Sequence, residues 1–333
     1  MDRYFSFIIP VYNRPNEIEE LLRSLAVQTF SKPFEVVVIE DGSTLPSDEV
    51  VADFQAKLSI TYLQKPNSGP GDSRNYGMRH ANGDYFIILD SDCVLPPKYL
   101  EIVDRELQRS YVDCYGGPDA AHKSFSLVQK AINYAMTSFL TTGGIRGSKK
   151  ALGKFQPRSF NMGISHKAFE ATGGFGKIHP GEDPDLSIRL WKKGFTTALV
   201  PDAFVYHKRR IDWSKFFTQV RKFGTVRPIL NKWHPKTAKA TYWFPTIFCS
   251  GFIIALVLWY LGLILPVLLF VSYFLLIFLD SLVKNKSIAI ALLSLLAVVI
   301  QFAGYGFGFL KSSLLLALSP KEPQELFPEV FFQ

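Results

Sequence analysis

Apolar and polar positions divide the chain into two unlike parts. Up to about residue 207, short apolar runs alternate with segments whose apolar positions recur at helical spacing. Residues 5–11 read as a buried strand and 16–27 as an amphipathic helix. Residues 34–40 read as a second strand, 47–57 as a helix, 59–63 as a strand, 72–81 as a helix and 85–89 as a further strand. This alternation predicts an α/β fold of parallel βαβ units, the sheet covered on both faces. After residue 242 the pattern changes. From Trp243 to Val283 the only charged residue is Asp280, and from Ser287 to Leu318 it is Lys311. A helix needs about 20 apolar residues to cross a hydrocarbon core, so about three spans are expected, at 243–261, 264–283 and 287–310. Gly262 and Pro266 suit the turn between the first two, and Trp259 and Tyr260 suit an interface.

Charge sharpens the division. The 333 residues carry a formal +8. Ten Lys or Arg against Asp212 alone lie between Lys208 and Lys239, and the remainder is close to neutral. A basic run abutting an apolar span is better explained by anionic lipid than by nucleic acid. The positive-inside rule then places it, and the domain before it, in the cytoplasm of a multi-pass inner-membrane protein. The expected domains are 1–210, a basic juxtamembrane segment 211–242, a membrane part 243–318 and a tail 319–333. Cys93, Cys114 and Cys249 show no metal spacing, and their odd number argues against a disulfide framework.

In parallel α/β sheets, ligands bind beyond the carboxyl ends of the strands. Tyr12-Asn13-Arg14 follows the first strand, Asp41-Gly42-Ser43 the second and Asp90-Ser91-Asp92 the fourth. Each alone could be a turn or a cap. Together they put Asn, Asp and Gly on one edge, where paired carboxylates suit Mg2+ or Mn2+ and the phosphates such an ion carries. Ser68-Gly69-Pro70-Gly71 opens the next helix, where backbone N–H groups can face phosphate, and Arg74 lies in its first turns.

Ile8 to Asn13, Glu40 to Ser43, Arg74 to Gly77 and Gly83 to Asp92, followed by Asn161-Met162-Gly163, Gly173-Gly174-Phe175 and Gly181 to Leu186, resemble a family 2 glycosyltransferase of GT-A fold over roughly residues 5–207. The resemblance implies that Asp41 contacts the nucleobase, with Pro10, Tyr12 and Arg14 around it and Arg74 close by. It implies that Asp90 meets the ribose or donor sugar, that Asn161 also binds donor, that Asp92 ligates the metal and that Asp183 is the catalytic base. His207 would be an additional metal ligand, although a lone histidine after a strand is also an ordinary structural residue. Members invert the anomeric centre in one displacement. Two departures stand out: Glu40 replaces the first Asp of the more usual Asp-Asp-Gly-Ser, and His166 stands where a basic residue is commoner.

Chemistry is consistent with these roles. A sugar hydroxyl is a poor nucleophile and needs a carboxylate to accept its proton, and a departing diphosphate gathers charge that a divalent ion can neutralise. Asp183, followed by Pro184, could equally be no more than a helix cap. Trp213, Phe216, Phe217, Val220 and Phe223 recur at helical spacing with cations between them, which suits a helix in the headgroup layer or a packing helix with solvated charges. Acceptor or interface contacts are expected from Glu182, Arg209, Arg210, Gln219 and Arg221, and from a glycine-rich loop at Gly143 to Ser148.

The expected activity is single-sugar transfer from a nucleotide sugar, UDP-linked foremost, to a lipid or lipid-linked acceptor at the cytoplasmic face. Gln219-Val220-Arg221-Lys222-Phe223 lacks the tryptophan of the Gln-x-x-Arg-Trp motif of processive synthases, which leaves processive synthesis as the alternative. A non-catalytic nucleotide-sugar-binding membrane protein is the other.

Overall fold

The computed structural model describes residues 3–120, 125–143, 154–207 and 212–332. They form two compact units. The first comprises the described residues up to 120, then 154–207, and Phe331 and Phe332. The second holds 125–143 and 212–330.

In the first unit, the predicted strands form as β1 (Phe5–Val11), β2 (Phe34–Asp41), β3 (Ser59–Lys65) and β4 (Tyr85–Leu89). They pair in parallel in the order β3-β2-β1-β4, with Phe5 opposite both Phe34 and Tyr85. Their interleaved helices are α1 (Pro15–Ala26), α2 (Asp48–Phe54) and α3 (Pro70–His80). Burial on both faces explains the unbroken apolar runs. Phe7, Ile9, Val36, Val38 and Ile87 pack against α1, α2 and α4 (Tyr99–Arg109). Ile8, Val37, Ile39, Phe86 and Ile88 pack against α3, α7 (His166–Thr172) and α8 (Glu182–Lys192).

Short strands complete the unit, and no periodicity announces them. β5 (Cys93–Val94), β6 (Cys114–Gly116), β7 (Asp119–Ala120), β8 (Asn161–Ser165), β9 (Thr197–Leu199) and β10 (Val205–His207) run two to five residues. β8 inserts antiparallel beside β4 and carries β6 and β9 at the far edge. β5, β10 and β7 make a separate small sheet, and its register sets His207 opposite Cys93.

The second unit is helical. It holds α5 (Leu127–Thr137), α6 (Phe139–Thr142), α9 (Trp213–Trp233), α10 (Phe244–Tyr260), α11 (Leu265–Asn285), α12 (Ile288–Leu318) and α13 (Pro323–Leu326). Three of its helices are long and apolar enough to cross a membrane: Ala240–Tyr260, which extends α10, Leu265–Asn285 and Ile288–Leu318. The third continues past the expected end at 310, because Lys311 interrupts the apolar run without breaking the helix.

Residues 125–143, expected within the first domain, group instead with these helices. The Tyr134 hydroxyl donates to Asp280 at 2.7 Å and to the Ile277 carbonyl at 3.2 Å, while the Ser138 hydroxyl donates to the same carboxylate at 3.1 Å. Asp280, the lone charge of its apolar run, is thereby satisfied, and Lys284 adds an ion pair at 2.8 Å. Along α9, Phe216 and Val220 are buried with α5 and α12 residues while Phe217 stays exposed. That stripe is therefore largely consumed by packing.

Candidate active site

The strand ends converge as the topology requires. Asn13 adopts a left-handed φ of 53° at the end of β1. Its side-chain Oδ1 accepts from the Thr44 and Leu45 amides at 2.8 and 2.9 Å, which ties the β1 and β2 loops together. Pro10, the sixth residue of β1, is partly buried, and Tyr12 beyond the strand is 51% exposed. Glu40 is turned inward: it accepts from Ser43, from the Ser47 amide at 2.9 Å and from the Tyr62 hydroxyl at 2.9 Å. In place of the usual aspartate it builds the turn.

Asp41 is buried, and both its oxygens are engaged. Lys65 Nζ pairs with Oδ1 at 2.5 Å, and the Ser68 and Gly69 amides donate at 3.0 Å each. Gly69, at φ 88°, permits the sharp entry into α3. Asp41 thus holds the 65–69 loop in place. Lys65 was absent from the expected set, although its position at the end of a parallel strand is a signal that strand-end reasoning could have used.

Deeper in, α3 presents Arg74 to the acidic groups. Its Nη2 lies 2.8 Å from Asp90 Oδ1, and its Nη1 lies 3.5 Å from Glu182 Oε1. Glu182 is buried and receives His179 Nδ1 at 2.8 Å. Burial opposes its charge, but His179 and Arg74 hold its carboxyl below the ordinary range. It therefore enters the site as a charged structural link and not as a surface that an acceptor could touch.

Asp183 starts α8 one residue later. Burial and the neighbouring Glu182 charge raise its pKa from the ordinary carboxyl value to about 6, against the opposing pull of Arg158, Arg74 and Ser159. Nothing in the linear pattern pointed to Arg158.

Asp92 lies beyond β4, with Oδ2 3.2 Å from Arg14 Nη1 and Oδ1 3.0 Å from His207 Nε2. Burial disfavours its charge, yet the His207 hydrogen bond and charge, together with Arg14, keep its pKa lowered. Ligand atoms of Asp92, Cys93 and His207 lie within 4.8 Å of one another. The Cys93 thiol donates to the Phe160 carbonyl at 3.4 Å, and burial pushes its pKa well up. With the Cys93 thiol turned to the Phe160 carbonyl, a carboxylate oxygen and an imidazole nitrogen are left to face an ion, a pair compatible with a divalent first-row metal. The residues fit a divalent cation.

Two buried polar atoms of this site, Arg74 Nε and Asp183 Oδ1, have no hydrogen-bond partner among the described residues. Native folds satisfy most such groups. Arg74 and Asp183 are near enough to interact electrostatically, so one polar ligand could meet both atoms.

Three expected residues fall elsewhere. Asn161 is fully buried, and its amide is spent on the Tyr99 hydroxyl at 2.5 Å and the Ala203 carbonyl at 2.8 Å. It joins β8 to the chain before β10 and cannot also bind donor. Gln219 and Arg221 belong to α9 of the second unit, where Gln219 Oε1 is buried and unpartnered among the described residues and Arg221 is exposed. Arg209, Arg210 and most of the glycine-rich loop, from residue 144 on, lie outside the described residues.

The sequence pattern of glycosyl transferase family 2 matches residues 6–172. An uncharacterized glycosyltransferase of Rickettsia conorii is 42% identical over 101 residues, 30% of this chain and 17% of that protein. The poly(ribitol-phosphate) β-N-acetylglucosaminyltransferase TarS of Staphylococcus aureus is 42% identical over 91 residues, 26% of this chain and 16% of TarS. The matched segment is thus a small part of those longer relatives. Among solved structures, TarS in complex with UDP aligns at TM-score 0.48 and 22% identity over 67% of this chain and 66% of that one. The mannosyltransferase PcManGT of Pyrobaculum calidifontis, in complex with GDP-Man and Mn2+, aligns at TM-score 0.59 and 17% identity over 94% of this chain and 88% of that one. The expected GT-A architecture with apolar C-terminal helices is borne out.

Proposed function

The chain belongs to glycosyl transferase family 2, whose pattern covers just over half of it, and from that premise we propose that it transfers one sugar at a time from a nucleotide sugar to a lipid or lipid-linked acceptor at the cytoplasmic membrane face, with inversion. The carrying observation is the pair of buried atoms, Arg74 Nε and Asp183 Oδ1, that have no hydrogen-bond partner among the described residues.

In this reading Asp183 accepts the proton of the attacking acceptor hydroxyl. A pKa near 6 leaves it mostly ionised at neutral pH and still basic enough to take a proton. Glu182, held charged by His179 and Arg74, maintains that basicity. The hydroxyl oxygen bonds to the anomeric carbon as the bond to the nucleoside diphosphate breaks on the opposite side. Arg74 offers its Nε donor to the donor's anionic part, and Asp90 orients that guanidinium while meeting the donor sugar. Asp41, by holding the Ser68-Gly69 loop, shapes the nucleobase wall beside Pro10, Tyr12 and Arg14.

Asp92 and His207 would hold Mg2+ or Mn2+, which when bound neutralises charge on the departing diphosphate. The GDP-Man bound by PcManGT supports a donor of this class, and we take a UDP-sugar as the first candidate. Residues 1–210 carry the chemistry and the basic segment 211–242 meets anionic headgroups. Arg209, Arg210 and Arg221 are the cations we propose for an acceptor's phosphate. The apolar helices between 243 and 318 anchor the protein, and 319–333 form the tail.

The test is nucleotide release from UDP- and GDP-sugars with Mg2+ or Mn2+, on membranes containing polyprenyl phosphates or simple glycolipids, with the length of the product measured. Asp183→Asn is expected to bind UDP normally and to lose at least 100-fold in turnover. Full activity in that variant would remove the base assignment.

A further inference from the structure

The loop from Gly173 to Glu182 delivers the proposed base, and one of its sides is held by α3. Asn75 Nδ2 donates to the Phe175 carbonyl at 2.8 Å, the Phe175 amide donates back to Asn75 Oδ1 at 2.8 Å, and Arg74 stacks over the Phe175 ring at 5.3 Å. The other side meets residues about 150 positions later. Ile178 and Phe331 form an antiparallel bridge, and the Phe332 amide donates to the Lys177 carbonyl at 3.0 Å.

That pairing sets the Phe332 ring 5.5 Å from the His179 imidazole, tilted by 40°. The same ring covers Gly69 so closely that a methyl group there would stand 2.4 Å from its carbons. Phe332 thus touches both walls of the site. Gly69 is the residue whose amide binds Asp41, and His179 is the residue that pairs with Glu182, which leads on to Arg74 and Asp90.

The two walls differ in how much they need the ring. Asp41 keeps Lys65 and the Ser68 amide whatever happens at position 332. Among the described residues, the contacts of the His179 ring are Phe332, which covers it, and Glu182, which takes its nitrogen. We propose that Phe332 is a positioning residue for the base-bearing loop, clamping His179 and through it the Glu182–Asp183 pair against the start of α3. The clamp rests on the proposed reaction with Asp183 as base and assigns a role to a residue outside the family pattern, which ends at 172.

The test uses the full chain and compares Phe332→Ala, Phe332→Tyr and Asp183→Asn. Hydrogen exchange of the amides of 176–182 is followed by mass spectrometry. UDP affinity is measured calorimetrically with Mn2+, and turnover by nucleotide release from UDP-N-acetylglucosamine. In Phe332→Ala, exchange across 176–182 is expected to quicken by at least about tenfold and turnover to fall by roughly 10- to 100-fold, since small misplacements of a catalytic group are that costly. UDP affinity should stay within about twofold, because the Asp41 contacts remain. Phe332→Tyr, which keeps the ring, should restore both exchange and turnover.

Unchanged exchange in Phe332→Ala overturns the clamp. So does a rise that extends to β1, because the ring would then be a core residue and not a brace. Full turnover in Asp183→Asn strikes at the base assignment alone, and the exchange data still decide the clamp.

Discussion

At the scale of single residues, the site depends on two adjacent carboxyls held in opposite states of affinity for a proton. Glu182 is kept charged by His179 and Arg74, and that charge, added to burial, lifts Asp183 to about 6. A base works only when deprotonated, so turnover should fall about tenfold per pH unit once the pH drops below about 6. Replacing Glu182 by Gln removes the repulsion and leaves the burial. The acid limb of the kcat profile should then move down by roughly one unit, yet stay above an ordinary aspartate. A limb that does not move in Glu182→Gln would mean that some other group titrates.

The placement of Asp90, Asp92 and Arg74 was legible because strand ends and helix starts of a parallel sheet face one edge whatever the details, whereas Asp183 came from the family resemblance. Asn161 was not: its role is set by Tyr99 and Ala203, partners 62 and 42 residues away, and no local pattern records a partner. Glu40 and Lys65 show the same limit from the other side. One sits in a recognisable motif but points inward, and the other sits outside any motif but grips Asp41.

At the scale of elements, legibility followed length. The runs that became β1, β2 and β4 are buried on both faces and announce themselves as apolar. β5, β7 and β10, which bring His207 beside Asp92, have two or three residues each, too few for any period. The basic helix α9 was visible as a stripe, but not the surface it packs on. That surface is α12, and the two backbones approach so closely that a methyl on Gly224 would lie 2.2 Å from the Tyr305 carbonyl oxygen, and one on Gly308 2.3 Å from the Arg221 carbonyl oxygen. Gly224→Ala should therefore destabilise the helical unit by about 1–3 kcal/mol through overpacking. Its gain of up to about 1 kcal/mol in helix propensity only partly offsets this. Gly251→Ala is the control, because its methyl would meet Phe270 at an ordinary 3.6 Å. Thermal unfolding in detergent should show the first variant melting lower and the second at or above the parent. Equal shifts would mean that α9 and α12 are not in backbone contact.

At the scale of the whole molecule, the path of the chain limits how it can sit in a bilayer. The first unit contains the residues up to 207 and, again, Phe331 and Phe332. A chain that leaves a compact body on one side of a membrane and rejoins it must cross an even number of times. Among the described residues three helices are apolar and long enough to span, so we expect that not all three carry the chain across. The odd one out is distinguished by its surroundings. The apolar windows of α10 and α11 are 11% buried by protein, whereas that of α12 is 39% buried, enclosed by α5 and by the cationic α9. At 31 residues α12 is also about 46 Å long, well beyond a hydrocarbon core of roughly 30 Å, and it carries Lys311.

We therefore expect α10 and α11 to cross as a hairpin, with Gly262 at the far face, and α12 to begin and end on the near side. With Cys93, Cys114 and Cys249 replaced, a single cysteine at Gly262 should react with a membrane-impermeant maleimide applied outside intact cells. One at the exposed Lys321 should react only after permeabilisation. External labelling at 321 would require three crossings and would separate Phe332 from His179 by the thickness of a membrane, so the labelling pattern judges the path of the chain and the clamp together.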